Sequence, residues 1–179
     1  MIENLKILKD DLTPFEGERK FVLQRHSRGK SIHYDLRMLI GDESHLVGLT
    51  LNLGDTEKEK QFLKDPTGVQ VQVEVKLRQP ISWLKVQGEV EPGGVGATRY
   101  KTAEWKILES GTYHLGAIKP DEGFFEFFFN GKNDILKGRW ITRMLEFPED
   151  REDPKSKKID RLLFWKPKDQ NPYKEDKEK

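Results

Sequence analysis

The chain has 179 residues, with 32 lysines and arginines against 31 aspartates and glutamates, four histidines and no cysteine. That length suits one domain with a sizeable core, and the lack of cysteine excludes a disulfide framework, a thiolate nucleophile and a zinc–thiolate site. A net charge of +1 gives no global argument for a nucleic-acid partner, so any basic surface must come from local clustering.

The opening residues, MIENLKILKDDL, are charged throughout and lack the apolar core of a signal peptide. No apolar run approaches the ~20 residues of a membrane span, so the expectation is a soluble, cytoplasmic protein with no membrane partner. Residues 2 to 12 read as a short amphipathic helix with Ile2, Leu5, Leu8 and Leu12 on one side. From Lys20 the pattern changes to short alternating or aromatic runs: KFVLQRH, SIHYDLRMLI, SHLVGLTLNL, GVQVQVEVKL, EWKILES, GTYHLGAI, GFFEFFF, GRWITRMLEF and RLLFWKP. Gly-Lys, Gly-Asp, Pro-Thr-Gly, Pro-Gly-Gly, Ser-Gly, Asp-Glu-Gly and Asn-Gly punctuate them with hairpin and turn chemistry. About eight strands at regular spacing predict a mainly β protein, a compact antiparallel barrel rather than a βαβ sheet. DTEKEKQFLKD, residues 55 to 65, reads as either a short helix or a charged loop. PEDREDPKSKK, residues 148 to 158, reads as a charged loop. The predicted organisation is an N-terminal helix or arm over 1–19, the barrel over 20–168 and a polar, disordered tail over 169–179.

Within RHSRGKSIHYDLRM, residues 25 to 38, chemistry concentrates. Strand side chains alternate faces with a period of two, so Ile32, Tyr34, Leu36 and Met38 point one way and His33, Asp35 and Arg37 the other. Imidazole and carboxylate together suit a divalent ion such as Mn²⁺ or Zn²⁺, and a guanidinium suits a phosphate or carboxylate. SRGKS is short enough to fold the preceding strand back as a hairpin, which would bring His26 to the same spot as a third ligand and leave positions open for water and substrate. The same alternation equally describes a solvent-facing ladder of hydrogen bonds and an ion pair. Spacing alone leaves both readings open.

FVLQRHSRGKSIHYDLRM resembles the signature of the 3′-phosphoesterase module of bacterial DNA ligase D and its stand-alone archaeal and bacterial relatives. GEVEPGGVGATRY, FFFNGKNDILKGRWITRML and RLLFWKPKD are similar to later segments of that family in the same order, so the resemblance covers roughly residues 20 to 168. It implies a β-barrel whose metal-dependent site, with Mn²⁺ the expected ion and Zn²⁺ or Co²⁺ the alternatives, processes DNA or DNA/RNA 3′ ends in repair and end joining. The implied chemistry is removal of a 3′-terminal ribonucleoside followed by hydrolysis of the remaining 3′-phosphate, alongside a ligase or polymerase of the same pathway. By matching position, the resemblance makes His26, His33 and Asp35 metal ligands and Arg37 a phosphate-binding catalytic arginine. RQPISW stands where the family has Asp-His-Pro-Leu-Asp-Tyr, placing Gln79 at a catalytic histidine position and Trp83 at a tyrosine position. Glutamine donates a hydrogen bond but is no general acid, so a module that binds DNA ends or a repair partner without turnover is the alternative. LVGLTLNL replaces the family's Trp-Ala-Val-Pro-Lys-Gly run and its lysine.

Elsewhere, Arg99, Lys101, Lys137, Arg139 and Arg143 give local basicity suited to tracking a DNA backbone, with Arg99, Lys137 and Arg139 the candidate substrate contacts; solvated strand faces account for them nearly as well. His45 and His114 read as surface or turn histidines. GFFEFFFNG reads as barrel packing before a stacking platform for bases, and Glu126 as a partner in a barrel-rim ion pair.

Overall fold

The computed structural model describes residues 2–13, 17–28, 31–90, 102–144 and 161–174. Helix α1, Ile2–Leu12, presents Leu5, Leu8 and Leu12, all at most 1 % exposed, to the core, as its 3.6-residue periodicity requires. Strands β1 (Arg19–Arg28), β2 (Ser31–Leu39), β3 (Leu46–Asn52) and β4 (Val71–Gln79) form an antiparallel run, with helix α2, Thr56–Lys64, between β3 and β4. Asp55 caps α2 by accepting a hydrogen bond from the Lys58 amide at 2.8 Å, and Phe62 anchors it in the core. The 55–65 segment is therefore the helix, not the charged loop.

The rest of the wall comes from β6 (Ala103–Lys119), β7 (Phe124–Gly131), β8 (Lys137–Met144) and β9 (Arg161–Trp165), with the short β5 (Gly88–Val90) beside the start of β6. Strand β9 inserts between β4 and β8, and β6 pairs back onto β1, closing an eight-strand antiparallel barrel in the order β1-β2-β3-β4-β9-β8-β7-β6. Full closure leaves the barrel no free edge.

EWKILES and GTYHLGAI prove to be one strand, β6, rather than two separated by a turn at Ser110-Gly111. Gly111 is present for close approach: a Cβ there would sit 2.1 Å from the Asn130 carbonyl oxygen of β7. The reversal after β6 comes at 120–123, and the fully buried Glu109 carboxylate of β6 reaches the β7–β8 turn, accepting backbone N–H groups from Asn133 and Ile135 at 2.7 and 2.8 Å.

Aromatic packing fills the barrel. Phe125, Phe127 and Phe129 face inward with Tyr34, Tyr113, Trp140 and Phe164, so these three are barrel packing, while Phe124 and Phe128 lie on the outer face against Tyr173 and His114. On the outer face of β7, Glu126 (1 % exposed) pairs with Arg139 at 2.5 Å and also accepts the Tyr173 amide at 2.9 Å. Residues 169–174, expected to be a free polar tail, are instead docked there: Gln170 bonds both the N–H and the carbonyl of Arg139. The 148–158 loop lies outside the described residues. Among the described residues no helix is long and apolar enough to cross a membrane.

Candidate metal centre

Alternation on β2 divides its side chains as the pleat demands: Tyr34, Leu36 and Met38 are fully buried in the barrel, while His33, Asp35 and Arg37 line a pocket of about 530 Å³ on the opposite face. The β1–β2 hairpin sets His26 directly opposite His33, Gln24 opposite Asp35 and Val22 opposite Arg37. Directly opposed residues have their Cβ atoms only about 5 Å apart, which brings the ligand atoms within reach of one another. His26 Nδ1 lies 3.1 Å from His33 Nε2, and His33 Nε2 lies 3.3 Å from Asp35 Oδ2. One donor atom from each residue falls within 4.8 Å of the other two.

This set fits a first-row divalent ion. Ligand bonds of about 2.1 Å place neighbouring ligand atoms roughly 3.0–3.4 Å apart, close to the two separations above. Imidazole with carboxylate suits Zn²⁺, Mn²⁺ or Co²⁺, and three protein donors leave further coordination positions for water or substrate. Neighbouring side chains fix their orientation. The His26 ring lies flat on Trp105, with centroids 3.7 Å apart and planes 1° from parallel. Thr50, opposite Asp35 on β3, donates to Asp35 Oδ1 at 3.0 Å and leaves Oδ2 turned to the histidines. Burial pushes the Asp35 carboxyl up, but hydrogen bonding and charge from His33, then Arg37 and Thr50, outweigh it and hold it below the usual carboxylate range.

Arg37 is the cation of the pocket. Its Nε donates to Gln24 Oε1 at 2.7 Å, its Nη2 lies 3.6 Å from Asp35 Oδ2, and its guanidinium sits 4.4 Å from the centre of the Trp83 ring. Burial draws its pKa down against the opposing pull of Asp35, and a guanidinium remains charged under such a shift. Trp83 belongs to a short 3-10 turn, Ile81–Lys85, within a strap over residues 80–87. Gln24 pins that strap, donating from Nε2 to the carbonyls of Trp83 and Val86 at 2.7 and 2.9 Å.

Gln79 lines the same pocket, and its Oε1 is buried without a hydrogen-bond partner among the described residues, as is Trp105 Nε1. Orphaned buried polar atoms in a concave site are groups for which a water or ligand supplies the missing partner. Gly48, opposite Arg37, makes room for this arrangement, since a Cβ there would lie 2.9 Å from Gln79 Oε1.

The fold thus assembles His26, His33, Asp35, Arg37, Gln79 and Trp83 in one pocket. Other expected contacts lie elsewhere. Arg139 lies outside this pocket, with its Nε bound to Glu126 and its Nη1 to the Asp169 carbonyl. Lys137 is outside this pocket and pairs with Asp134 at 2.6 Å. Arg99 and Lys101, like the glycine-rich stretch before them, are outside the described residues. His45 bonds Asp11 at 3.1 Å, and His114 stacks on Phe128, so neither joins the ligand group.

Sequence reasoning passed over Gln24, Thr50, Trp105, Lys76 and Arg78. Gln24 was accessible by counting two positions back from His26 along one strand face. Thr50, Trp105 and Lys76 owe their positions to long-range register, which local pattern does not carry. Arg78 adopts a left-handed backbone, φ 53°, where the β3–β4 register shifts. Such irregularities next to a site redirect a side chain, and here the arginine lines the pocket rim.

No protein-family model, curated protein or solved structure matches this chain.

Proposed function

We propose that this protein is a metal-dependent phosphoesterase that processes nucleic-acid 3′ ends, removing a terminal ribonucleoside and hydrolysing the 3′-phosphate that remains, in DNA repair or end joining. The observation that carries the reading is the convergence of His26, His33 and Asp35 beside Arg37 in one open pocket. The ordered motif resemblance over residues 20 to 168 supports it.

His26, His33 and Asp35 would hold the ion, which when bound supplies Lewis-acid polarisation of a phosphoryl oxygen and a more acidic bound water. Arg37, with its Nε engaged by Gln24, offers its terminal nitrogens to the charge that develops on the phosphoryl group. Because Gln24, Asp35 and Trp83 already fix the guanidinium, little reorganisation accompanies that stabilisation. Gln79 contributes a hydrogen bond to the substrate. Lys76 and Arg78, on the pocket rim, contact flanking phosphates.

Gln79 also favours a second reading. Among the described residues lining the pocket, the only histidines are the two ligands, so no imidazole remains to protonate the leaving group. A module that binds 3′ ends without turnover has the same pocket. Incubation with Mn²⁺ and a primer–template ending in one ribonucleotide, then with a 3′-phosphate end, separates the two. The enzyme reading predicts turnover that His33→Ala abolishes; tight binding with no turnover would replace it with the binding module.

A further inference from the structure

A second depression, about 500 Å³, opens on the other flank of the strap. Trp83 of the strap lines the metal pocket, whereas Leu84, Lys85 and Gln87 line this one. Both pockets also share the outward stripe of β1. Lys20 and Val22 contribute to the second, His26 to the first, and Gln24 between them pins the strap. The β1 register against β2 is unbroken, so these even-numbered residues share one face.

The lining of this depression differs from that of the metal pocket, which includes Asp35 and Glu74. Lys20 from β1, Lys85 from the strap and Lys132 from the turn after β7 converge on it, and all three are exposed. None of the three takes part in an ion pair among the described residues. No residue lining it is acidic among those described, and Ser110 and Thr112 add hydroxyls; at its rim Thr112 donates to Glu18 Oε2 at 3.1 Å. In a chain whose charges nearly cancel, three unpaired ammonium groups from three separate segments around one hollow form a local anion site.

We propose that this lysine pocket binds the phosphodiester backbone of the same single strand whose 3′ end enters the metal pocket; the direction of the strand rests on the function proposed above. Val22 and His26 are four residues apart, about 13 Å along β1 at roughly 3.3 Å per residue. That is a span of a few nucleotides. The strap, carrying Trp83 on one side and Lys85 on the other, lies between the two subsites and under the strand. Lysines that contact only phosphate read no bases, so the pocket contributes affinity and register without sequence preference.

The test is fluorescence anisotropy of the full chain with a labelled single-stranded oligonucleotide of about a dozen nucleotides ending in a 3′-phosphate, titrated without metal over a range of salt. A triple variant, Lys20→Gln with Lys85→Gln and Lys132→Gln, should lower the slope of log affinity against log salt by roughly 2, since each single-strand phosphate contact contributes about 0.7. Mn²⁺ affinity and melting temperature should be unchanged, and the corresponding triple arginine variant should restore the slope. An unaltered slope and affinity in the glutamine variant would overturn the proposal. So would binding of inorganic pyrophosphate at these lysines as tightly as the oligonucleotide, which would make the pocket a free-anion site. The readout needs no turnover: a lowered slope in a protein that hydrolyses no 3′ end keeps the lysine pocket and rejects the activity, and turnover with an unaltered slope does the reverse.

Discussion

Gly48→Ala should damage a site that the residue never touches through a side chain of its own. An added Cβ would lie 2.9 Å from the Leu36 carbonyl oxygen and 2.9 Å from Gln79 Oε1. Comfortable contact needs roughly 3.5 Å, so each neighbour must give about half an ångström. The Gln79 amide is a flexible end and can swing away. The Leu36 carbonyl cannot, because it belongs to β2, which is bonded to β1 on one side and β3 on the other. Overpacking of this kind costs about 2 kcal/mol, a fall of roughly 4–8 °C in melting temperature for a chain of this size. Because β2 carries His33, Asp35 and Arg37, its displacement should also weaken Mn²⁺ binding. Thermal unfolding and an Mn²⁺ titration on the same variant measure both effects. Adding Gln79→Ala should recover only the side-chain share of the loss. A Gly48→Ala protein that melts like its parent and binds Mn²⁺ equally would show that the β2–β3 spacing has slack, and the reasoning would fail.

Three further substitutions probe the surroundings of the site. Arg78→Gly relieves a left-handed arginine (φ 53°) and should raise stability by about 1 kcal/mol, while weakening binding of 3′-phosphate ends; a drop in melting temperature would contradict it. Glu126→Gln leaves the buried Arg139 without its anion and should cost about 3 kcal/mol, with faster amide exchange at Tyr173, whose N–H Glu126 accepts; an unchanged denaturation midpoint would refute it. Gln24→Leu removes both strap hydrogen bonds, at about 1 kcal/mol each. Tryptic cleavage after Lys85 should then rise roughly thirtyfold through easier local opening, and an unaltered cleavage rate would mean the strap is held by something else.

How far the site was legible in the chain depends on the range of the interaction. His33, Asp35 and Arg37 could be assigned to one face because the two-residue period of a strand is a local property of the backbone. His26 followed because a short hairpin loop restricts its partner to β2. The barrel was readable from strand spacing and turn chemistry, and α1 from its leucine stripe. What escaped depends on contacts between distant segments. Thr50 steers Asp35 only through the β2–β3 register, and Trp105 supports His26 only because β6 returns to close the barrel on β1. Ser110-Gly111 imitated a turn, since a glycine needed for close strand approach looks the same in sequence as one needed for a reversal. Arg139 looked like a surface cation until Glu126 and the 169–174 segment covered it. Polar composition alone likewise hid that segment's docking, which depends on Gln170 finding the backbone of Arg139.

The central claim is that His26, His33 and Asp35 bind one divalent ion beside Arg37. Electron paramagnetic resonance of free Mn²⁺ during titration into the full chain tests it most directly. The account predicts one saturable ion per chain, with affinity reduced at least tenfold by His33→Ala and by Asp35→Asn and little changed by His45→Ala or His114→Ala, whose rings lie outside the ligand group. Mn²⁺ binding that is absent, or equally strong in the His33→Ala and Asp35→Asn proteins, would contradict it.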